Sequence, residues 1–185
     1  MERYSARPAK NNARVVTRHL TVDAAGQPVV EQLWTTVLFD TTCEPSGPDA
    51  PEHTFPEDAR DRPALTLEVM VDEEMTGLYA EVSQDFSAHH FDLEAARASG
   101  FDRLFVHGLC TMGLCAEAAV SGPAHGDPHR IQRVAVRFSS PAFLGEALRI
   151  EMFDAGPAGY AFEAAGAAGA GPKVITHGRV ELRPA

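Results

Sequence analysis

Residues 108–120, GLCTMGLCAEAAV, decide the fold of this chain. Nearly every position in the stretch is apolar or small, and Gly108 opens it. A helix that is apolar nearly all round is usually buried on most sides. We therefore predict a buried central helix here, and we expect Gly113 to let it approach a sheet closely.

Strand patterns lie on both sides of this helix. Alternating apolar and polar residues predict strands near 65–71, 131–138, 147–153, 160–164 and 174–182, separated by turns rich in Gly, Pro and Ala. Two shorter helices are predicted between the first of these strands and residue 108. Asp72 caps a helix through Val82, with an apolar face of Met75, Leu78, Tyr79 and Val82, and Asp92 caps another that ends at Gly100. The pattern indicates an α+β fold, with an antiparallel sheet wrapped around the central helix.

The N-terminal third of the chain has a different residue pattern. Residues 1–12 are predicted to be a loose arm, and residues 14–22 and 28–39 a β-hairpin that turns at 24–27. Five prolines between residues 41 and 63 indicate a linker. We therefore divide the chain into residues 1–63 (arm, hairpin and linker) and 64–185 (the helix-containing domain).

The composition excludes several classes of function. The chain has 185 residues, 44% of them hydrophobic and 23% charged, which suits a globular protein. Its formal net charge of −10 argues against a nucleic-acid partner, since binding to a phosphate backbone needs clustered cations. No apolar run is long enough to span a membrane, and the first residues lack the apolar core of a signal peptide. The three cysteines form no metal-binding or disulfide spacing, so we expect a reduced, cytoplasmic location.

Two polar clusters are candidates for chemistry. Residues 83–92, SQDFSAHHFD, place a carboxylate and two imidazoles in one predicted loop, where Asp and His can hold a water molecule and move its protons. A plain polar loop with a capping Asp92 explains the same residues. His107 and Gly108 lie where the central helix begins, and unpaired backbone N–H groups there can hold an oxyanion. A buried histidine beside a packing glycine is the alternative.

Other kinds of site are less well supported. A metal site would have to use His89, His90, His107 and Asp92, and the side chains of adjacent histidines diverge on an extended strand. We therefore predict no metal and no cofactor. There is no G-x-S-x-G motif, phosphate loop or dinucleotide fingerprint in the chain.

Three segments together resemble the MaoC-like, (R)-specific enoyl-thioester hydratase family of hotdog folds. Residues 79–92, YAEVSQDFSAHHFD, are similar to its signature Y-A-x-x-S-G-D-x-N-P-[IL]-H-x-D. Residues 99–101 and 106–113 are similar to its following A-G-F and H-G-[LM] segments, and residues 136–145 to its R-F-x-x-P strand and turn. The match covers roughly residues 65–183.

The resemblance implies a reaction and a set of residues. The reaction is reversible addition of water across the α,β double bond of an acyl thioester, carried by coenzyme A or an acyl carrier protein. The catalytic residues would be Asp85, His90 and the backbone N–H of Gly108. We expect the substrate to contact Ser87, His89, His107, Arg133 and Arg137, the two arginines meeting a carrier phosphate from one face of a strand.

The chain departs from the family in two respects. Gln84, Ser87 and Ala88 stand where the signature has Gly, Asn and Pro, and His89 precedes the signature His. The first half of two-hotdog members is reduced to a hairpin remnant, so we expect a homodimer, or a hetero-oligomer with another hotdog chain that supplies the missing half. Three hypotheses follow: a hydratase or dehydratase, a tailoring enzyme that cyclises or isomerises its substrate, and a non-catalytic acyl-binding subunit.

Overall fold

A computed structural model describes residues 2–51 and 54–183 of the chain. They form two compact units, divided after residue 52. None of the helices in these two ranges has the length and hydropathy of a membrane-spanning helix. The predicted division after residue 63 stays a prediction.

The first unit is a three-stranded antiparallel sheet. Strands β1 (Glu2–Ala9), β2 (Asn12–Val22) and β3 (Pro28–Leu38) are hydrogen-bonded in that order. The predicted hairpin is confirmed as β2 and β3. The loose arm predicted for residues 1–12 is wrong, because β1 pairs with β2 along most of its length and Ala6 also exchanges backbone hydrogen bonds with Ser46. A register shift between Arg3 and Ser5 breaks the alternation that would have revealed this strand in the sequence.

The second unit contains a five-stranded antiparallel sheet of order β4-β6-β7-β8-β5. The strands are β4 (Pro63–Val71), β5 (Ile131–Phe138), β6 (Glu146–Asp154), β7 (Tyr160–Ala165) and β8 (Lys173–Leu182). The helices are α1 (Glu73–Ser83), α2 (Leu93–Ala98) and α3 (Gly108–Ser121). These elements confirm the predicted strands, helices and α+β class.

Helix α3 packs one face on this sheet. Cys115, Ala118 and Ala119 are fully buried in one core with side chains from four strands, among them Ile150, Phe162, Ile175 and Val180. The opposite stripe of Leu109, Gly113 and Glu117 is exposed, and the other positions from 110 to 120 are buried or half-buried, which agrees with the prediction of a helix buried on most sides. The close approach expected at Gly113 is wrong, because a Cβ atom there would meet nothing within 4 Å.

Helix α1 is capped as predicted, with the Asp72 carboxylate accepting a hydrogen bond from the Met75 N–H at 2.8 Å. Its predicted apolar face is only half buried. Met75 and Tyr79 pack on the core, whereas Leu78 is 63% and Val82 is 88% exposed. Thr76 and Ala80 are buried instead, because the buried face is rotated relative to the apolar pattern of the sequence.

The outer face of the second sheet carries its own small core. Because side chains alternate along a strand, Ala161 and Glu163 of β7 point away from α3. Phe55 and Ala59, from the segment before β4, pack against Ala161. This segment contains a short 3-10 helix, Glu57–Asp61, and lies within the linker that the prolines predict.

Candidate active site

The loop that follows α1 carries the first candidate residues. Helix α1 ends at Ser83, and its C-cap Gln84 has a left-handed backbone with φ 60° and donates its N–H to the Ala80 carbonyl. A 3-10 turn, Ala88–His90, follows and closes through the His90 N–H to the Ser87 carbonyl. These two tight turns bring Asp85 and His90 close together, as the sequence predicts for residues of one loop.

Asp85 is an exposed carboxylate that Ser87 holds in place. One carboxylate oxygen accepts hydrogen bonds from the Ser87 N–H at 3.1 Å and the Ser87 hydroxyl at 2.5 Å. The hydroxyl bond, followed by the backbone bond, lowers the pKa of Asp85 below its ordinary value. Asp85 is therefore ionised at neutral pH, and its second oxygen can accept a proton or a hydrogen bond.

His90 is buried, with only 5% of its surface exposed. Its Nδ1 lies 2.9 Å from the Phe105 carbonyl oxygen. Because a carbonyl only accepts, Nδ1 must carry the proton, and Nε2 of the neutral ring then has a free lone pair. Burial lowers the pKa of His90, although the Phe105 bond opposes that shift, so the ring is neutral at pH 7.

His107 joins this loop to α3. Its Nε2 donates to the Asp85 backbone carbonyl at 2.9 Å, and its ring stacks on that of His90 with centroids 3.7 Å apart. One side-chain ligand atom from each of Asp85, His90 and His107 lies within 4.8 Å of the others. Asp85 and His90 of this cluster suit a water molecule held between two proton acceptors. The cluster also has the ligand types of a metal site, so the expectation of no metal stays a prediction.

Gly108 is the first residue of α3, with His107 as the N-cap. The first N–H groups of a helix have no acceptor inside it, so that of Gly108 can bind a ligand oxygen. A Cβ atom at this position would lie 3.3 Å from the Phe138 ring. Phe138 and its tight fit to Gly108 gave no signal in the sequence, because the two residues meet only in the folded chain.

The other predicted substrate-binding residues, His89, Arg133 and Arg137, do not belong to the cluster of Asp85, His90 and His107. The His89 ring lies parallel to that of Phe105, at 5.5 Å and 12°. Arg133 forms an ion pair of 2.6 Å with Glu181, and Arg137 is exposed. Alternation along β5 puts both arginines on the face opposite Phe138, and therefore away from the Gly108 contact. Their predicted role, and those of Ser87, His89 and His107, stay predictions.

Two further neighbours of the site were not predicted from the sequence. The Phe105 carbonyl fixes the tautomer of His90, and the Tyr79 ring packs on His107 at 4.9 Å. A backbone acceptor has no residue-type signature, so only the structure reveals the first. Tyr79 belongs to the apolar face predicted for α1, which is the signal that could have placed it.

The fold and the site together define a hotdog protein of the MaoC-like class. The family model described as "MaoC like domain" matches residues 55–169, and the chain belongs to this family. It is 29% identical over 167 residues to 3-hydroxyacyl-thioester dehydratase Y of Mycobacterium tuberculosis, covering 89% of this chain and 57% of that protein.

Two further relatives agree with this assignment. The peroxisomal multifunctional enzyme type 2 of Drosophila melanogaster is 29% identical over 151 residues, 79% of this chain. Its full-length structure has a TM-score of 0.83 at 28% identity and covers 96% of this chain and 32% of that one. The MaoC-like dehydratase of Phytophthora capsici has a TM-score of 0.86 at 26% identity, covering 97% and 60%. The chain spans 25% of the length of the Drosophila protein.

Proposed function

We propose that this protein is a hydratase or dehydratase that adds or removes water at the α,β position of an acyl thioester. The observation that carries the proposal is the proximity of an ionised Asp85 carboxylate to a neutral, buried His90: one side-chain ligand atom of each lies within 4.8 Å of the other. Both groups accept protons, and together they can orient one water molecule. The names of the relatives, which include a 3-hydroxyacyl-thioester dehydratase, support the same reaction.

In the hydration direction, the water oxygen attacks the β-carbon of the enoyl thioester while the dyad accepts one of its protons. The electrons of the double bond move toward the thioester oxygen, and the Gly108 N–H stabilises the negative charge that develops there. The proton is then delivered to the α-carbon, which restores the thioester and leaves a hydroxyl group on the β-carbon. Dehydration is the same path reversed, and neither direction needs a cofactor.

We also propose that the hydroxyl group is added with (R) stereochemistry at the β-carbon. The thioester is carried by coenzyme A or by an acyl carrier protein. An arginine contact to a carrier phosphate would fall to Arg137, since Arg133 is paired with Glu181. A cytoplasmic location stays a prediction.

We expect the chain to assemble with a second hotdog chain, identical or different. Three apolar side chains next to the dyad loop are largely exposed: Leu78 at 63%, Val82 at 88% and Phe86 at 60%. Strands β4 and β5 form the two edges of the five-stranded sheet. Exposed apolar surface and open strand edges are both covered by association in other proteins. A sedimentation mass equal to that of one chain at working concentration would contradict this expectation.

A second candidate reaction keeps the fold and changes the nucleophile. Ser87, in place of the Asn of the family signature, is bonded to Asp85 and has a shorter reach. A hydroxyl of the substrate could then take the place of water, which would make the protein a cyclising enzyme. A non-catalytic acyl-binding subunit remains the third hypothesis, motivated by the small first unit.

The test is hydration of a series of enoyl thioesters by the whole protein and by Asp85→Asn and His90→Ala. General acid–base catalysis contributes about 10²–10⁴ in rate, so each variant should lose activity by about that factor while remaining folded. Asp102→Asn and His129→Ala, at exposed positions away from the loop, are matched controls and should retain parental rates. Parental rates in the two loop variants would contradict the dyad. Binding of enoyl thioesters without turnover would favour the third hypothesis.

A further inference from the structure

We infer that His107 is a positioning residue that sets the distance between the proton-transfer dyad and the oxyanion donor. This inference rests on the proposed function. The side chain bonds to the backbone of Asp85, and the main chain continues directly into Gly108. One imidazole therefore links two parts of the site that lie 22 residues apart in the sequence.

The hydrogen bond fixes which ring nitrogen carries the proton. The Asp85 carbonyl can only accept, so the donor is Nε2–H of His107, at 2.9 Å. Nδ1 is buried and has no hydrogen-bond partner among residues 2–51 and 54–183. A proton on Nδ1 would leave a buried N–H without an acceptor, which is costly. The geometry thus assigns the single proton of the neutral ring to Nε2.

Packing keeps this ring in one position. Only 2% of His107 is exposed, and the ring is held by His90 at 3.7 Å and by Tyr79 at 4.9 Å. The bond to Asp85 and the stack on His90 therefore act on both members of the dyad. Because the free Nδ1 is buried, His107 acts through Asp85, His90 and Gly108, whereas the resemblance implied contact with the substrate.

The consequence is a defect in rate when the bond is removed. His107→Phe keeps an aromatic ring against His90 and Tyr79 but cannot donate to the Asp85 carbonyl. A misplacement of about 1 Å can cost about 10²-fold in rate, so kcat should fall by about tenfold to a hundredfold with little change in KM. His107→Gln loses the ring but can place an amide N–H where Nε2–H was. It should retain a kcat at least about fivefold above that of the Phe variant.

The controls separate positioning from loss of stability. Cys115→Ala removes a buried sulfur from the same helix and should lower the melting temperature without changing the kcat of the folded enzyme. A Phe variant with parental kcat would overturn the inference, and so would a Gln variant as slow as the Phe variant. A rise in KM of the same size as the fall in kcat/KM would assign His107 to substrate binding instead.

A measurement on the parent protein does not depend on folding of the variants. Long-range ¹H–¹⁵N NMR of the histidine rings, with His107 assigned by its absence in either variant or by sequential assignment, should show the Nε2–H tautomer. The Nδ1–H tautomer would overturn the inference. If the parent protein hydrates no enoyl thioester, the proposed function fails. The Nε2–H tautomer, together with slower amide exchange at residues 85–87 than in the Phe variant, would then still support the anchoring of the loop.

Discussion

Two carboxylates of the second unit have lowered pKa values in opposite surroundings. Asp85 is exposed, and the hydroxyl and N–H of Ser87 lower its pKa. The Glu163 side chain is only 10% exposed. Burial raises the pKa of Glu163, but hydrogen bonds from Arg60 and Lys173 outweigh that effect, and the net pKa lies below the ordinary range. One carboxylate is near solvent with neutral partners; the other is buried between two cations.

The partners decide what each carboxylate can do. Both oxygens of Glu163 are occupied, by the two Arg60 nitrogens at 2.8 and 3.1 Å and by Lys173 at 2.5 Å. Arg60 also lies 4.1 Å over the Phe55 ring, so the ion pair fixes residues 55–61 to the outer face of the sheet. Asp85 uses one oxygen and leaves the other for chemistry. A lowered pKa alone therefore does not identify a candidate catalytic group; what distinguishes Asp85 from Glu163 is an oxygen that remains available as an acceptor.

The largest effect expected from this comparison is on stability. Glu163→Gln leaves Arg60 and Lys173 without their charged acceptor, and a hydrogen bond to a charged group contributes about 1.5–3 kcal/mol. The free energy of unfolding should fall by about that amount in urea titrations, with kcat unchanged in the folded enzyme. Glu151→Gln, at a half-exposed position on the neighbouring strand β6, should change stability by less than about 0.5 kcal/mol. Equal losses of unfolding free energy in the two variants would show that the ion pairs of Glu163 contribute no more to stability than a half-exposed carboxylate does.

The next effect concerns the space beside Gly108, the proposed oxyanion donor. A methyl group at Gly108 would meet the Phe138 ring at 3.3 and 3.4 Å, and overpacking of this kind costs about 1–3 kcal/mol. Gly108→Ala should therefore lower kcat/KM about tenfold, and the additional change Phe138→Leu should restore part of it. Gly113→Ala is the control on the same helix, because nothing lies within 4 Å of the new methyl group. It should stabilise the protein and leave turnover intact.

The pH dependence of the rate should report on His90, and the pH dependence of stability should report on Glu163. The proposed hydration would need the Nε2 lone pair of His90, and burial lowers the pKa of that residue below 6.5. The rate should therefore persist below pH 6.5 and fall as the pH drops through the lowered pKa. The stability that Glu163 contributes is present above its ordinary pKa of 4.5 and is lost as the pH falls through its lower folded value. Unfolding that precedes the loss of rate on acidification would contradict this order.

The smallest effect is expected at Ser87. Ser87→Ala removes the 2.5 Å hydroxyl bond, so the pKa of Asp85 should rise toward its ordinary value, which NMR titration of the carboxyl carbon can follow. The accepting carboxylate is charged but exposed, and solvent screening reduces the contribution of such a bond, so we expect a loss of activity of only several-fold. Ser87→Asn tests whether the residue of the family signature can substitute. An unchanged Asp85 pKa in the Ser87→Ala variant would contradict the conclusion that the Ser87 hydroxyl lowers this pKa.

The comparison also shows what the sequence could and could not reveal. Asp85, His90 and Gly108 could be named as candidates because they lie in short segments with characteristic spacing, and their catalytic roles stay predictions. The strands of the second unit could be predicted because their side chains alternate. The Glu163 pair joins residues 103 positions apart, and no local pattern encodes such a contact. Strand β1 was missed for a related reason: its register is set by β2 and Ser46, and its own residues do not alternate.

The backbone of Gln84 bears on how the site opens. A left-handed conformation costs a non-glycine residue about 1–2 kcal/mol, and this one immediately precedes Asp85. Local opening of the loop releases that strain and exposes little apolar surface. Opening α3 would instead expose the fully buried Cys115, Ala118 and Ala119. We therefore expect amide hydrogen exchange to be faster at residues 84–86 than at residues 115–119, with the His107 bond to the Asp85 carbonyl opposing the opening of the loop.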